Sequence, residues 1–264
     1  MADAGTLAEE TRDWLKRNPR ELDSPDHFFG VVWVRHKVVS IGERHTESAH
    51  RDFVASRVRH WGGPHVGLAL EIQAAHQDAV TTYIKQGGSL PDQWFTRNVK
   101  FRKILEAARA TQTEVVAMDQ TQAKPSSDPG PRLTLTRLDR DKHMANAVTQ
   151  LISRKSKVLV LAGMEHSKEA GFSKNNPPMG VRLAEAVGKQ IYTIYTMTQT
   201  GLAETGQDGD ELFKVLRKEF GSRGAIAFDV DRSPLAGGQI TDSIAKRSIS
   251  WKNYCDGLML FFNG

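Results

Sequence analysis

The 264-residue chain carries one cysteine, Cys255. A lone cysteine forms no intrachain disulfide, and near the C-terminus it reads as a core filler, because thiol catalysis needs an electropositive, accessible setting. No apolar run approaches the roughly 20 residues of a membrane span. The opening MADAGTLAEETRDWLKRNPRELD lacks the basic and then apolar order of a signal peptide, so the chain is expected to be cytoplasmic, without membrane association. Net charge is +5, yet no five basic residues run together and no aromatic stripe interleaves them; a solvated surface is expected, not a nucleic-acid site. The His-Glu-x-x-His, Cys-x-x-Cys, Gly-x-Ser-x-Gly and Walker patterns are missing, as are internal repeats and low-complexity tracts.

What is present is an ordinary globular balance, 39% hydrophobic and 25% charged, long enough for one α/β domain spanning 1–264. An amphipathic helix is expected over 6–17, with the core running from about 28 to 264. FFGVVWV (28–34) and KVVSIG (37–42) read as two short strands, a hairpin joined by Arg35 and His36. Residues 46–59 read as a helix, HVGLALEI (65–72) as a strand covered on both faces, and 74–86 and 98–111 as helices. TEVVAMD (113–119), KVLVLAG (157–163), QIYTIYT (190–196), GAIAFDV (224–230) and GLMLFFN (257–263) read as further strands, with helices at 137–154, 181–187 and 209–219. Residues 233–239 read as irregular. The Pro- and Ser-rich stretch 120–136 is long enough for a lid or binding loop. Strands alternating with helices predict an α/β fold with a mostly parallel central sheet flanked by helices.

In such a sheet ligands bind at the carboxyl ends of the strands. There the sequence places Glu43 and His45 after one strand, Glu71 after the next, Asp119 after the third, and Glu165 and His166 after the fourth. A carboxylate leaving a buried strand is costly unless paired or functional, which singles out Glu71. Asp119 also suits a turn, Glu165 suits solvent, and Glu47 a helix start. His50 and His76 lie on expected helices near this edge. Arg137, Arg140 and His143 share one helical face; Arg140 is placed to meet an anion or orient Glu71, or else to pair on the surface with Asp139 or Asp141.

GERH (42–45), ALEI (69–72), RDKHMA (140–145) and VLVLAGMEH (158–166), in this order, resemble the superfamily that joins Tiki-type proteases, erythromycin esterase-like hydrolases, ChaN haem-binding proteins and the Ras-cleaving domain of certain bacterial toxins. The likeness covers about 38–196, and YCDGLMLFF resembles its closing strand. It implies a site of Glu43, His45, Glu71, Arg140 and His166 at one sheet edge. The expected activity is hydrolysis of an amide or ester bond in a peptide or small molecule. Either Glu43, His45, Glu71 and His166 hold a divalent metal (Zn, Mn or Co) that activates water, or Glu71 orients a histidine that does so as general base. Arg140 would stabilise the oxyanion. The alternatives are haem capture at the same edge, with Tyr192, Tyr195 or a histidine as axial ligand, and tailoring of a peptide or natural product. The hydrolytic reading requires His45 and His166 within about 12 Å, since first-shell bonds are roughly 2 Å.

Overall fold

The computed structural model describes residues 4–43, 49–90, 92–120, 137–170, 177–198, 206–242 and 247–262. Its first departure from the sequence reading is at 28–34, which is helical. Helix α1 (Ala4–Arg17) is followed by α2 (Pro25–Arg35). The Ser24 hydroxyl accepts from the His27 amide at 3.3 Å and Pro25 opens the first turn, a combined helix start that the apolar run conceals. Phe28, Phe29, Val32 and Trp33 are buried while Val34 is 68% exposed, a helical stripe and not a strand alternation.

The strands expected from the remaining apolar runs form. They are β1 (Val38–Glu43), β2 (Val66–Gln73), β3 (Glu114–Asp119), β4 (Lys157–Gly163), β5 (Ile191–Thr198), β6 (Ala225–Asp229) and, later in the chain, β9 (Gly257–Phe261). They make one seven-stranded sheet in the order β3-β2-β4-β1-β5-β9-β6. All neighbours are parallel except β6, which runs antiparallel to β9 at one edge. β1 is buried at every position, as a strand covered on both faces must be. Between β6 and β9 lies a two-stranded antiparallel ribbon, β7 (Gln239–Asp242) and β8 (Arg247–Ser250), just past the stretch read as irregular and not expected from the sequence. Four-residue strands of mixed polarity offer too little alternation to be seen.

The crossovers supply the layers. α2, α3 (Ala49–Trp61), α4 (Gln77–Gln86) and α6 (Val99–Thr111) pack Phe29, Val54, Val80, Phe101 and Ile104 on one face, with the one-turn α5 (Trp94–Arg97) between α4 and α6. The other face takes α7 (Arg137–Arg154) and α9 (Met179–Val187) over β2, β4 and β1, and α1 with α10 (Gly206–Phe220) over β5, β9 and β6. The one-turn α8 (Met164–Ser167) caps β4. Lining each face with three or more large apolar side chains, each worth about 1.5–3 kcal/mol buried, makes the sheet a rigid frame for its edge. Among the described residues no helix is long and apolar enough to cross a membrane.

Candidate active site

Because β1 to β4 are parallel, Glu43, Glu71, Asp119 and the residues after Gly163 all leave the sheet at one edge. Side-chain alternation then divides them between its two faces. Glu43 shares a face with Val39 and Ile41, which pack with α3 and α6. Its carboxylate is held on both oxygens: Arg51 donates from Nε to Oε2 at 2.9 Å and from Nη2 to Oε1 at 2.7 Å, and His50 Nε2 sits 2.5 Å from Oε2. All three residues are buried, and the Arg51 guanidinium lies 5.3 Å from the Phe101 ring centre. The contact places a proton on His50 Nε2; Nδ1 is buried and makes no hydrogen bond. Desolvating two ions costs several kcal/mol each, recovered through these short charge-assisted bonds. Glu43 is therefore an internal ion-pair partner of Arg51 and His50.

On the opposite face, Glu71 points toward α7 with Ala69. Oε2 accepts from the Gly163 amide at 2.7 Å and Oε1 from Arg140 Nη2 at 2.9 Å. Arg140 also donates from Nε and Nη2 to the two Asp119 oxygens at 2.8 and 2.9 Å. Asp119 thus closes an ion-pair network and does not merely start a turn. His166 Nδ1 is 2.7 Å from Asp141 Oδ1, which also accepts from the Met179 amide at 3.1 Å. Asp141 is 1% exposed and acceptor-only when ionised, so it sets the proton on Nδ1. His166 Nε2 then faces Glu71 Oε1 at 3.6 Å. Glu165 turns to Lys168, whose Nζ donates to it at 2.8 Å.

Two glycines let α8 sit where it does. A Cβ on Gly42 would lie 2.2 Å from Met164 Sδ, and one on Gly180 would lie 2.1 Å from the Ser167 carbonyl oxygen. α8 is wedged between the end of β1 and the start of α9, and this fixes His166.

The structure accordingly brings together Glu71, Arg140 and His166 and adds Asp119 and Asp141; it places Glu43 across the sheet with His50 and Arg51. His45 and Glu47 lie at 44–48, and most of the expected lid at 121–136, outside the described residues. Asp141 entered the sequence reading only as a surface partner for Arg140, yet a stronger signal existed: it stands at i, with Met144, Val148 and Leu151 at i+3, i+7 and i+10, a carboxylate on the buried stripe of α7. Arg51 is marked in the same way by Val54, Ala55 and Val58. The surface pairing of Arg140 with Asp141 does not occur.

The described donors fit the expected metal poorly. Among the described residues no three His, Cys, Asp or Glu side chains are placed so that they could hold a metal ion together. Glu71 and Asp119 are both engaged by a guanidinium, which a divalent cation would have to displace. The tyrosines named for haem ligation are elsewhere. Tyr192 is at the start of β5, at the opposite edge, donating to Asp229 at 3.1 Å, and Tyr195 is buried against Tyr254 in the core. Cys255 is fully buried, and burial pushes its thiol well above the usual range, as a core filler requires.

A search of curated proteins finds no match to the sequence. Three solved structures share the architecture. A Bacillus cereus protein superposes with a TM-score of 0.70 at 12% identity, over 99% of this chain and 98% of its own. A succinoglycan biosynthesis protein gives 0.71 at 10% identity, over 97% and 96%. A variant of the erythromycin esterase EreC in its open conformation gives 0.62 at 10% identity, over 89% and 92%. At such identities these likenesses establish the fold. The sequence itself matches the erythromycin esterase family over residues 44–234, a span that holds Glu71, Asp119, Arg140, Asp141 and His166 together, and the chain belongs to that family.

Proposed function

We propose that the chain is a hydrolase that cleaves an ester of a small organic molecule by adding water, with His166 as general base and without a metal. The observation that carries this reading is the Asp141–His166–Glu71 geometry. Asp141 accepts a hydrogen bond from Nδ1–H, which leaves the Nε2 lone pair directed at the strand-end crevice. A water donating one hydrogen to Nε2 and the other to Glu71 Oε1 fits between them. With bonds of roughly 2.8 Å, the 3.6 Å separation subtends about 80° at the water, near enough to its own angle. Such a water is held by two acceptors and polarised for attack. His166 takes its proton as the C–O bond forms, Asp141 stabilises the resulting imidazolium, and His166 returns the proton to the departing alkoxide.

Arg140 acts in this scheme as the counter-ion of Glu71 and Asp119. Its Nε and Nη2 are committed to them, so only Nη1 is left for a developing oxyanion. Family membership directs the first substrate trials to macrocyclic lactones such as erythromycin. The purified chain, incubated with erythromycin and a panel of aryl and alkyl esters, is expected to convert at least one to the product of water addition, read by mass. His166→Ala and Glu71→Gln should each abolish turnover with the fold intact by circular dichroism, and chelators should leave the rate unchanged. Retained activity in both variants ends the proposal.

A further inference from the structure

Behind α8, away from the crevice, a second group of polar atoms is buried, and the charges felt there among the described residues are acidic. Ser40 on β1 and Thr193 on β5 are register partners, so their side chains stand side by side on one face of the sheet. Gly42, two residues beyond Ser40, faces Ser167 of α8. Ser40, Thr193 and Ser167 are each 0% exposed; the Ser40 and Ser167 hydroxyls have no hydrogen-bond partner, and the Thr193 hydroxyl meets only the Glu169 carboxyl. Two residues past Ser167, the Glu169 carboxyl lies against the Thr193 side chain and the Asp256 carboxyl, and its Oε1 is likewise buried and unpartnered. Asp256 accepts the Thr193 amide at 2.7 Å through Oδ2. Lys168, between Ser167 and Glu169, sends its ammonium to Glu165. The remaining charge felt by both carboxyls comes from Asp231 and is also acidic.

Three orphaned buried oxygens on neighbouring segments, Ser40 Oγ, Ser167 Oγ and Glu169 Oε1, are unusual, since nearly all such atoms are satisfied in folded proteins and each costs about 1–3 kcal/mol when left alone. Their chemistry is uniform: two carboxylates and three hydroxyls, oxygen donors only. That is the set a hard cation takes, whereas zinc or copper would draw histidine or thiolate. The charge of −2 on two ionised carboxyls matches a divalent ion. We propose that Glu169, Asp256, Ser40, Thr193 and Ser167 form an internal binding site for a hard divalent cation, Ca²⁺ being the best match, which ties α8 to β1, β5 and the start of β9. Burial, followed by the neighbouring Glu169, pushes the Asp256 carboxyl up to about 8, and burial likewise raises Glu169.

The test uses metal-stripped full-length protein at pH 7.5 and constant ionic strength, with CaCl₂ or MgCl₂ titrated against choline chloride. Ca²⁺ is expected to raise the melting temperature saturably, by several degrees at 1 mM, and calorimetry should show one ion bound per chain. Ser40→Ala and Thr193→Val, which preserve the packing, should each weaken Ca²⁺ at least fivefold, and Glu169→Gln should remove the shift. His166→Ala should keep it, so a failure of the hydrolytic reading leaves this test standing. No Ca²⁺ or Mg²⁺ response in the wild type overturns the site, as does a response unchanged in Glu169→Gln, Ser40→Ala and Thr193→Val.

Discussion

Replacing Asp141 with Asn tests the catalytic geometry with little change of shape. The wild-type carboxylate accepts from His166 Nδ1 at 2.7 Å and from the Met179 amide at 3.1 Å, both through Oδ1, and is 1% exposed. The Asn amide is isosteric. Its oxygen in the Oδ1 place keeps both hydrogen bonds, so Nδ1 keeps its proton, but a neutral amide holds the imidazole less firmly and gives no charge to the imidazolium that forms. A general base left so unsupported costs on the order of 10²–10⁴ in rate, or about 3–5.5 kcal/mol in the barrier. The structural cost is much smaller, about 1 kcal/mol for one altered buried hydrogen bond. For a chain of this length that lowers the melting temperature by roughly 2–4 °C. Activity should therefore fall in kcat and kcat/KM alike with KM unchanged, while the thermal midpoint barely moves. Steady-state kinetics on whichever ester the wild type turns over, beside a thermal melt, decides the matter. Asp141→Asn within threefold of wild type, when His166→Ala is dead, would refute the orienting role of Asp141.

Glu43→Gln should act on stability before chemistry. It removes the carboxylate that the buried Arg51 guanidinium holds by both oxygens, which costs about 3–5 kcal/mol; denaturant unfolding should show it, and a loss below about 1 kcal/mol would contradict the internal ion pair. Gly42→Ala drives a methyl into Met164, with Sδ at 2.2 Å and Cα at 3.3 Å; a loss of about 1–3 kcal/mol by chemical denaturation is expected, together with a lower kcat, because α8 carries His166. An unaltered kcat in a Gly42→Ala protein that is measurably destabilised would separate α8 from the site.

Local pattern was enough for much of the frame. VGLALEI and KVLVLAG could hardly be anything but strands buried on both faces, since four or more consecutive β-favouring apolar residues leave no solvent side. Parallel strands in turn send their polar successors to a common edge, which brought Glu71 and His166 under suspicion. The pattern failed at 28–34, where β-branched and aromatic composition outweighed the Ser24–Pro25 helix start, and at β7–β8, which are too short to show a period.

What no local pattern carries is which partner a charge finds. The order β3-β2-β4-β1-β5-β9-β6 sets Glu71 beside Gly163, 92 residues away, and Arg140 between Glu71 and Asp119. Alternation along β1 and β2, read against that order, puts Glu43 on the α3 face and Glu71 on the α7 face, so two acids that leave one edge do different work. The sequence by itself determined the elements and the edge, because periodicity and burial act over a few residues. Only the tertiary structure decided the pairings, because contact free energies between distant charges depend on the stacking of layers that no short window contains.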